Sequence, residues 1–451
     1  MRAFSALAVV VCAAHCARAA IDRRAVVARH ALRTAAGDAS QLSPLDVFTL
    51  GNGDFCFNVD ATGLQTFNST FATAAPSRLD LNTLSSWGWH SLPYHFPNTT
   101  DPAAYLRAMN WSYLPTAVSA TESRTVPYLL AANNTDSDGG WTNRNSHRMG
   151  LGQLSLRLVE AGAAAGLDPA PPAATALVNL TSELDTWAGG VTSAFTLRPS
   201  AIASPQGADA PAPGDAAFAV TVATAVHPDV DLVATRLTCA RTAGTAGCPA
   251  ALRLALPYSM MTWSPSASAW CCDEAHTTAV VAQGAVSVSL ALTLDDAALT
   301  IDCTWDDAAW TWARTGPHAF ALTPSPGVAA AAVQLSCLWA PAGLLYPIGL
   351  TSSAFVQAKV AATRALRAAV AGGGALPSYS AVHAAGAAML ADFWTGGSFV
   401  DLASHGAPEA LELERRTVLS RYLTRVNSAG ASPPQETGLI SNSCASRAER
   451  A

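Results

Sequence analysis

The chain has 451 residues, half of them apolar and 13% charged, with a formal net charge of −6. That length can bury a large core and divide into two or three domains, and so apolar a composition excludes a chain disordered throughout. The acidic balance, without basic clusters, argues against nucleic acid as a partner.

Residues 1–19 read as a secretory signal, with Arg2 as the positive start, Leu7 to Ala14 as the apolar core and Ala17-Arg18-Ala19 as the cleavage site. A membrane anchor is the alternative, but the apolar run is too short to cross a bilayer. No later segment offers about 18 uninterrupted apolar residues either. The mature chain is expected to be secreted and free of the membrane. Sequons at Asn68, Asn98, Asn110, Asn133 and Asn179 agree with glycosylation in an exported protein. Eight cysteines remain once Cys12 and Cys16 leave with the signal. Cys239 and Cys248 flank a short loop and suit a hairpin disulfide. Cys271, Cys272, Cys303 and Cys337 could supply another pair or two, with connectivity open. No His or Cys spacing points to a metal.

From Ile21 to about Arg33 the sequence reads as an exposed lead-in. The Gly51-Asn52-Gly53 turn follows, then Phe55, Phe57 and Val59 alternate with Asp54, Cys56 and Asn58 as in a half-buried strand. A turn at Thr62-Gly63 leads into Leu64–Phe67, which predicts a hairpin there. Trp87-Gly88-Trp89-His90 sets two indoles and an imidazole around a glycine, suiting either a core corner or a wall on which sugars stack. Residues 91–145, punctuated by prolines and by Asp138-Gly139-Gly140, read as a long loop.

Beyond Gly150 short strands are expected at Gln153–Leu158, Glu183–Leu197 (a hairpin around Trp187–Gly190), Phe218–Val222, Leu232–Cys239 and Leu252–Leu256. More follow at Val286–Leu294, Leu299–Trp305, Ala319–Leu322 and Gln334–Trp339. Strands joined by turns, with no helices between them, indicate an antiparallel sandwich. Helical spacing then takes over in Ala354–Val370 and Ser380–Trp394. A third helix opens at Pro408, with Leu411, Val418, Leu419, Tyr422, Leu423 and Val426 on one face.

The segments IDRRAVVARH, LGNGDFCF, DATGLQTF and SSWGWH, together with LSRYLTRVNSAGASPPQETGLISN at the other end, carry a resemblance. They resemble a group of secreted glycosidase-like proteins of the six-hairpin superfamily, distantly similar to the maltose and trehalose phosphorylase clan. The resemblance implies a β-sandwich at 21–350 and linker helices at 351–405. It makes 406–440 the first helix and loop of an (α/α)6 barrel, and 441–451 a divergent tail. Twelve helices of about 12 residues with connections of about 5 need about 200 residues, so a truncated barrel is expected here. In that family the catalytic carboxylates lie in the barrel, which leaves the catalytic residues of this chain unknown.

Hydrolysis of a glycosidic bond needs two carboxylates across a cleft. Asp273-Glu274, Asp295-Asp296 and Asp306-Asp307 read instead as solvated charge at strand ends, and Glu436 as a loop residue near a cleft. Trp87, Trp89 and His90 are the candidates for sugar contact, with core anchoring as the other reading of the two indoles. Asn52 is a weaker candidate, which the Gly51-Asn52-Gly53 turn accounts for better as a turn residue. With no G-x-S-x-G motif and no phosphate loop, no cofactor is expected. Two functions follow. One is a secreted glycoside hydrolase-like protein, inactive as this chain alone; the other is a lectin-like sandwich that binds carbohydrate without cleaving it.

Overall fold

The computed structural model describes residues 21–43, 46–67, 81–91, 111–117, 123–129, 147–159, 166–198, 216–244, 247–259, 268, 270, 272–325, 330–344, 354–431 and 438–440. Antiparallel sheets come first and helices last, as the strand and turn pattern predicted. The largest sheet has nine strands. In spatial order they are β1 (Leu32–Asp38), β10 (Leu177–Asp185), β11 (Gly190–Leu197), β12 (Ala217–Val226), β13 (Leu232–Ala243), β20 (Ala330–Pro341), β17 (Ala297–Trp305), β16 (Ser287–Leu294) and β15 (His276–Gln283). A four-stranded sheet runs β18 (Trp310–Gly316), β19 (Ala319–Pro324), β14 (Ala250–Ala255) and β9 (Gln153–Leu158). A three-stranded sheet consists of β2 (Phe48–Gly51), β3 (Phe55–Val59) and β4 (Thr83–Ser85). Two ribbons complete the set, β5 (Trp89–His90) with β8 (His147–Arg148) and β6 (Trp111–Ala117) with β7 (Ser123–Leu129).

One face of β12 explains how the layers assemble. Phe218, Val220 and Val222 enter the main core, where they join Leu154, Leu156, Leu252, Leu254 and Phe320 of the smaller sheet. Ala223 and Ala225 face the other way and meet Val370, Tyr379 and Val382 of the C-terminal helices and Leu376 of the link between them. Period-2 alternation thus gives large side chains to the sandwich and alanines to the face a helix must approach. The helices are α1 (Arg23–Arg29), α2 (Ala354–Ala371), α3 (Tyr379–Thr395) and α4 (Pro408–Asn427).

Several expectations are corrected. Ile21–Arg33 is no exposed lead-in: α1 buries Val26 and Val27, and β1 forms the edge of the large sheet. Asp22 caps α1 by accepting the amide of Ala25 at 3.0 Å. Arg23 reaches the carbonyl oxygens of Trp394 and Thr395 at 2.9 and 2.8 Å, a cation closing the C-terminus of α3. The first hairpin turns at Gly51–Asp54, pairing β2 with β3. Leu64–Phe67 is not its second strand, because the Asp60 side chain folds that segment back through the amides of Thr62 and Phe67, each at 2.8 Å. β3 is buried on both faces rather than one, since α4 covers the side that carries Cys56. Within the predicted loop at 91–145, residues 111–117 and 123–129 pair as strands.

The helix α4 buries Val418, Tyr422 and Val426 as predicted, but along a narrower row than expected. Glu414, Val418, Tyr422 and Val426 are buried at strict four-residue spacing, whereas Leu411 and Leu423 are each 42% exposed. Helical repetition at i+4 places those four in one row, and the row includes an acidic residue that hydropathy alone excludes. Cys239–Cys248 and Cys303–Cys337 are disulfides, while Cys56 is a buried thiol. Among the described residues no helix is long and apolar enough to cross a membrane.

Candidate functional site

The two stretches that carry the family resemblance, near residues 50–59 and 419–442, pack against each other. Gly53 donates its amide to the Val426 carbonyl at 2.9 Å, and the Tyr422 hydroxyl donates to the Thr49 carbonyl at 3.0 Å. Arg425 reaches the Asn52 carbonyl at 2.8 Å, and Asp54 accepts the amide of Ala431 at 2.9 Å. A Cβ on Gly51 would lie 2.4 Å from the Val426 oxygen, and Gly53 sits at φ +100°. Glycine is required at both positions, by contact at one and by conformation at the other. Burial, followed by the carboxylates of Asp231 and Asp54, pushes the Cys56 thiol well above its ordinary pKa, which makes it an inert core group.

Asn52 belongs to this junction. Its side-chain carbonyl accepts the amides of Asp54 and Phe55 at 3.0 and 2.9 Å, and its amide donates to the carbonyls of His227 and Val230 at 3.0 and 3.2 Å. All four bonds hold backbone, and Asn52 is buried. It is a turn residue with no capacity left for a ligand.

Trp87 is likewise internal, at 6% exposure. Its indole N–H donates to Asp231 Oδ2 at 2.6 Å, and Ser85 Oγ donates to the same oxygen at 2.8 Å. Lys359 of α2 completes the set by an ion pair with Asp231 Oδ1. Lys359 is the single lysine of the sequence and is buried, as is Asp231. The core reading of Trp87 holds.

Trp89 differs. It lies on β5 with 40% of its surface exposed, opposite Arg148 of β8. Behind it His90 is buried, its Nδ1 2.8 Å from Asp295 Oδ2. Tyr258 donates its hydroxyl to the same oxygen at 3.0 Å, and Asp296 accepts the amide of Ser91 at 2.7 Å. Asp295 and Asp296 sit at an exposed turn, as expected, and from there also clamp β5. Adjacent acids converge here because they occupy a turn, with Asp295 at φ +47°, where strand alternation does not apply. Burial, aided by Asp295, raises the Tyr258 phenol pKa above its ordinary value. Next to it His276 stacks on His318 with centroids 3.6 Å apart, and burial lowers the His276 pKa. This set of rings and carboxylates ties down the end of β5 beside the exposed Trp89.

The remaining buried carboxylates hold structure. Glu414 accepts from His30 at 2.8 Å and from Arg29 and the Leu402 amide at 2.5 Å each. Burial pushes its pKa up, but the Leu402 amide, His30 and Arg29 outweigh that and hold it below the usual range. Asp302 binds Arg367 at 2.9 Å and Ser289 at 2.5 Å. Asp306 is exposed, as expected of a strand end, and is tied to Gln334. Among the described residues no cluster of His, Cys, Asp and Glu could hold a metal ion.

Glu436 and the sequons at Asn68, Asn98, Asn110 and Asn133 lie outside the described residues, as do residues 1–19, Cys271 and 441–451. Asn179 is exposed at a bulge of β10, with φ +53°. No family model and no curated protein matches the chain. Among solved structures it is similar to a human-microbiome protein described as a kojibiose phosphorylase, with 9% identity and a TM-score of 0.47. That likeness covers 87% of this chain and 41% of the other, so the chain spans about two fifths of that protein's length.

Proposed function

We propose that this chain is the sandwich region of a glycosidase-like protein of the six-hairpin type, and that its task is to recognise carbohydrate rather than to cleave it. The observation that carries the reading is the open indole of Trp89 on a strand end fixed by His90, Asp295 and Tyr258. Sugar rings stack their apolar faces on such indoles, and affinity improves when the aromatic platform is preorganised. Cleavage needs one protonated and one ionised carboxylate facing a shared space. The buried carboxylates described above are instead committed to lysine, arginine, histidine and backbone partners. Under this reading α2 and α3 are linker helices and α4 is the first helix of a barrel.

Export to the extracellular space fits two disulfides and an exposed Asn179 sequon. The test of the non-catalytic reading is direct. Purified protein incubated with α- and β-linked disaccharides, with and without inorganic phosphate, is expected to leave them intact. Enzyme-dependent release of a monosaccharide or a sugar phosphate would contradict it.

A further inference from the structure

A cleft of about 620 Å³ opens far along the chain from Trp89, between the β15–β17 end of the large sheet and the C-terminal half of α2. Its volume falls within the range of small-molecule sites. One wall carries Gln283, Ser287 and Ser289, and the other carries Arg364 and Arg367. Arg367 is neutralised by Asp302, which Ser289 also holds. Arg364 lies one turn earlier on the same helix, and no carboxylate or other hydrogen-bond partner meets it among the described residues. Among the described residues the cleft therefore carries one uncompensated positive charge beside serine hydroxyls.

Two backbone irregularities border the same space. The β15–β16 register shifts at Val280–Ala282, and Leu344 is held at φ +56°. Bulges and left-handed non-glycine residues concentrate where a backbone is shaped for a ligand. Gln283 donates its amide to the Trp312 carbonyl of the smaller sheet at 3.2 Å, so its side chain turns to the inner face and leaves the cleft to Ser287, Ser289 and the arginines.

We infer that this cleft binds a small hydroxylated carboxylate of the uronic-acid class. Arg364 takes the carboxylate through its planar fork, and Ser287 and Ser289 take ring hydroxyls. One net positive charge matches one carboxylate, and the neutral groups give no advantage to a bare multivalent anion. The inference stands apart from the sugar-stacking role of Trp89, since no residue is shared.

Titration calorimetry with sodium glucuronate as the probe tests it. Binding with Kd on the order of 1 mM is expected, weakened at least tenfold by Arg364→Ala and unchanged by Trp89→Ala. Arg364 is exposed, so its replacement leaves the fold intact, which an unchanged Tm will show. Glucose and inorganic phosphate are each expected to bind at least tenfold more weakly than glucuronate. Absence of glucuronate binding, binding indifferent to Arg364→Ala, or equal binding of glucose or phosphate would each overturn the assignment.

Discussion

The indole nitrogen of Trp87 lies 2.6 Å from Oδ2 of Asp231, two residues before an indole, Trp89, that stands 40% exposed. Trp87, in the turn after β4, serves as an anchor, and Trp89, the first residue of β5, as an exposed platform. Replacing Trp87 by Phe removes a charge-assisted bond and leaves a void, and is expected to cost about 3 kcal/mol. Trp89→Ala is expected to stay within about 1 kcal/mol of wild type. Urea denaturation of the two variants checks both values.

Lys359 and Asp231 form a buried pair whose members are costly to separate. Lys359→Met alone leaves an uncompensated carboxylate and is expected to destabilise by about 3–5 kcal/mol. Adding Asp231→Asn should recover much of that loss, because the neutral side chain can remain with Trp87 and Ser85. A double-mutant cycle with a coupling energy above about 1 kcal/mol supports this, and strict additivity contradicts it.

Burial raises the Asp60 pKa to about 6, against the opposing bonds from Thr62 and Phe67. The folded state therefore holds its proton more tightly than the unfolded chain does. Stability from this group is fully present below the unfolded value of 3.8 and is lost as pH rises through about 6. Asp60→Asn does not titrate, so it should gain about 3 kcal/mol relative to wild type between pH 3.5 and pH 7.5. Denaturation midpoints of both proteins at the two pH values measure the difference, and a constant gap would refute the assignment.

The Cys303–Cys337 bridge closes a loop 34 residues long in sequence separation. Chain-entropy arguments give about 4 kcal/mol for such a loop, so Cys303→Ala with Cys337→Ala should lower Tm markedly. Peptide mapping without reductant should recover Cys239 with Cys248 and Cys303 with Cys337, and Cys56 as a free thiol.

The sheet region was readable because β-strands advertise themselves locally. Phe218, Val220 and Val222 alternate, and Trp187–Gly190 punctuates a hairpin, so neighbours along the chain decide both. The hairpin at Gly51–Asp54 was misplaced by one turn, since Asp60 recruits the Thr62 and Phe67 amides in a pattern that no spacing rule announces. The lead-in failed similarly, because Val26 and Val27 find their partners several hundred residues away. Of the candidate site, Trp89 was visible as a residue type, and its separation from Trp87 was not. The clamp of Asp295 on His90 spans 205 positions and left no trace in sequence.

The account turns on whether the open indole meets sugar. The decisive measurement is a glycan array on the wild-type protein followed by titration of the best ligand against Trp89→Ala. Saturable binding that falls at least tenfold in the variant, with Tm unchanged, is the predicted result. A wild-type protein that binds no glycan, or a variant that binds as tightly, would contradict it.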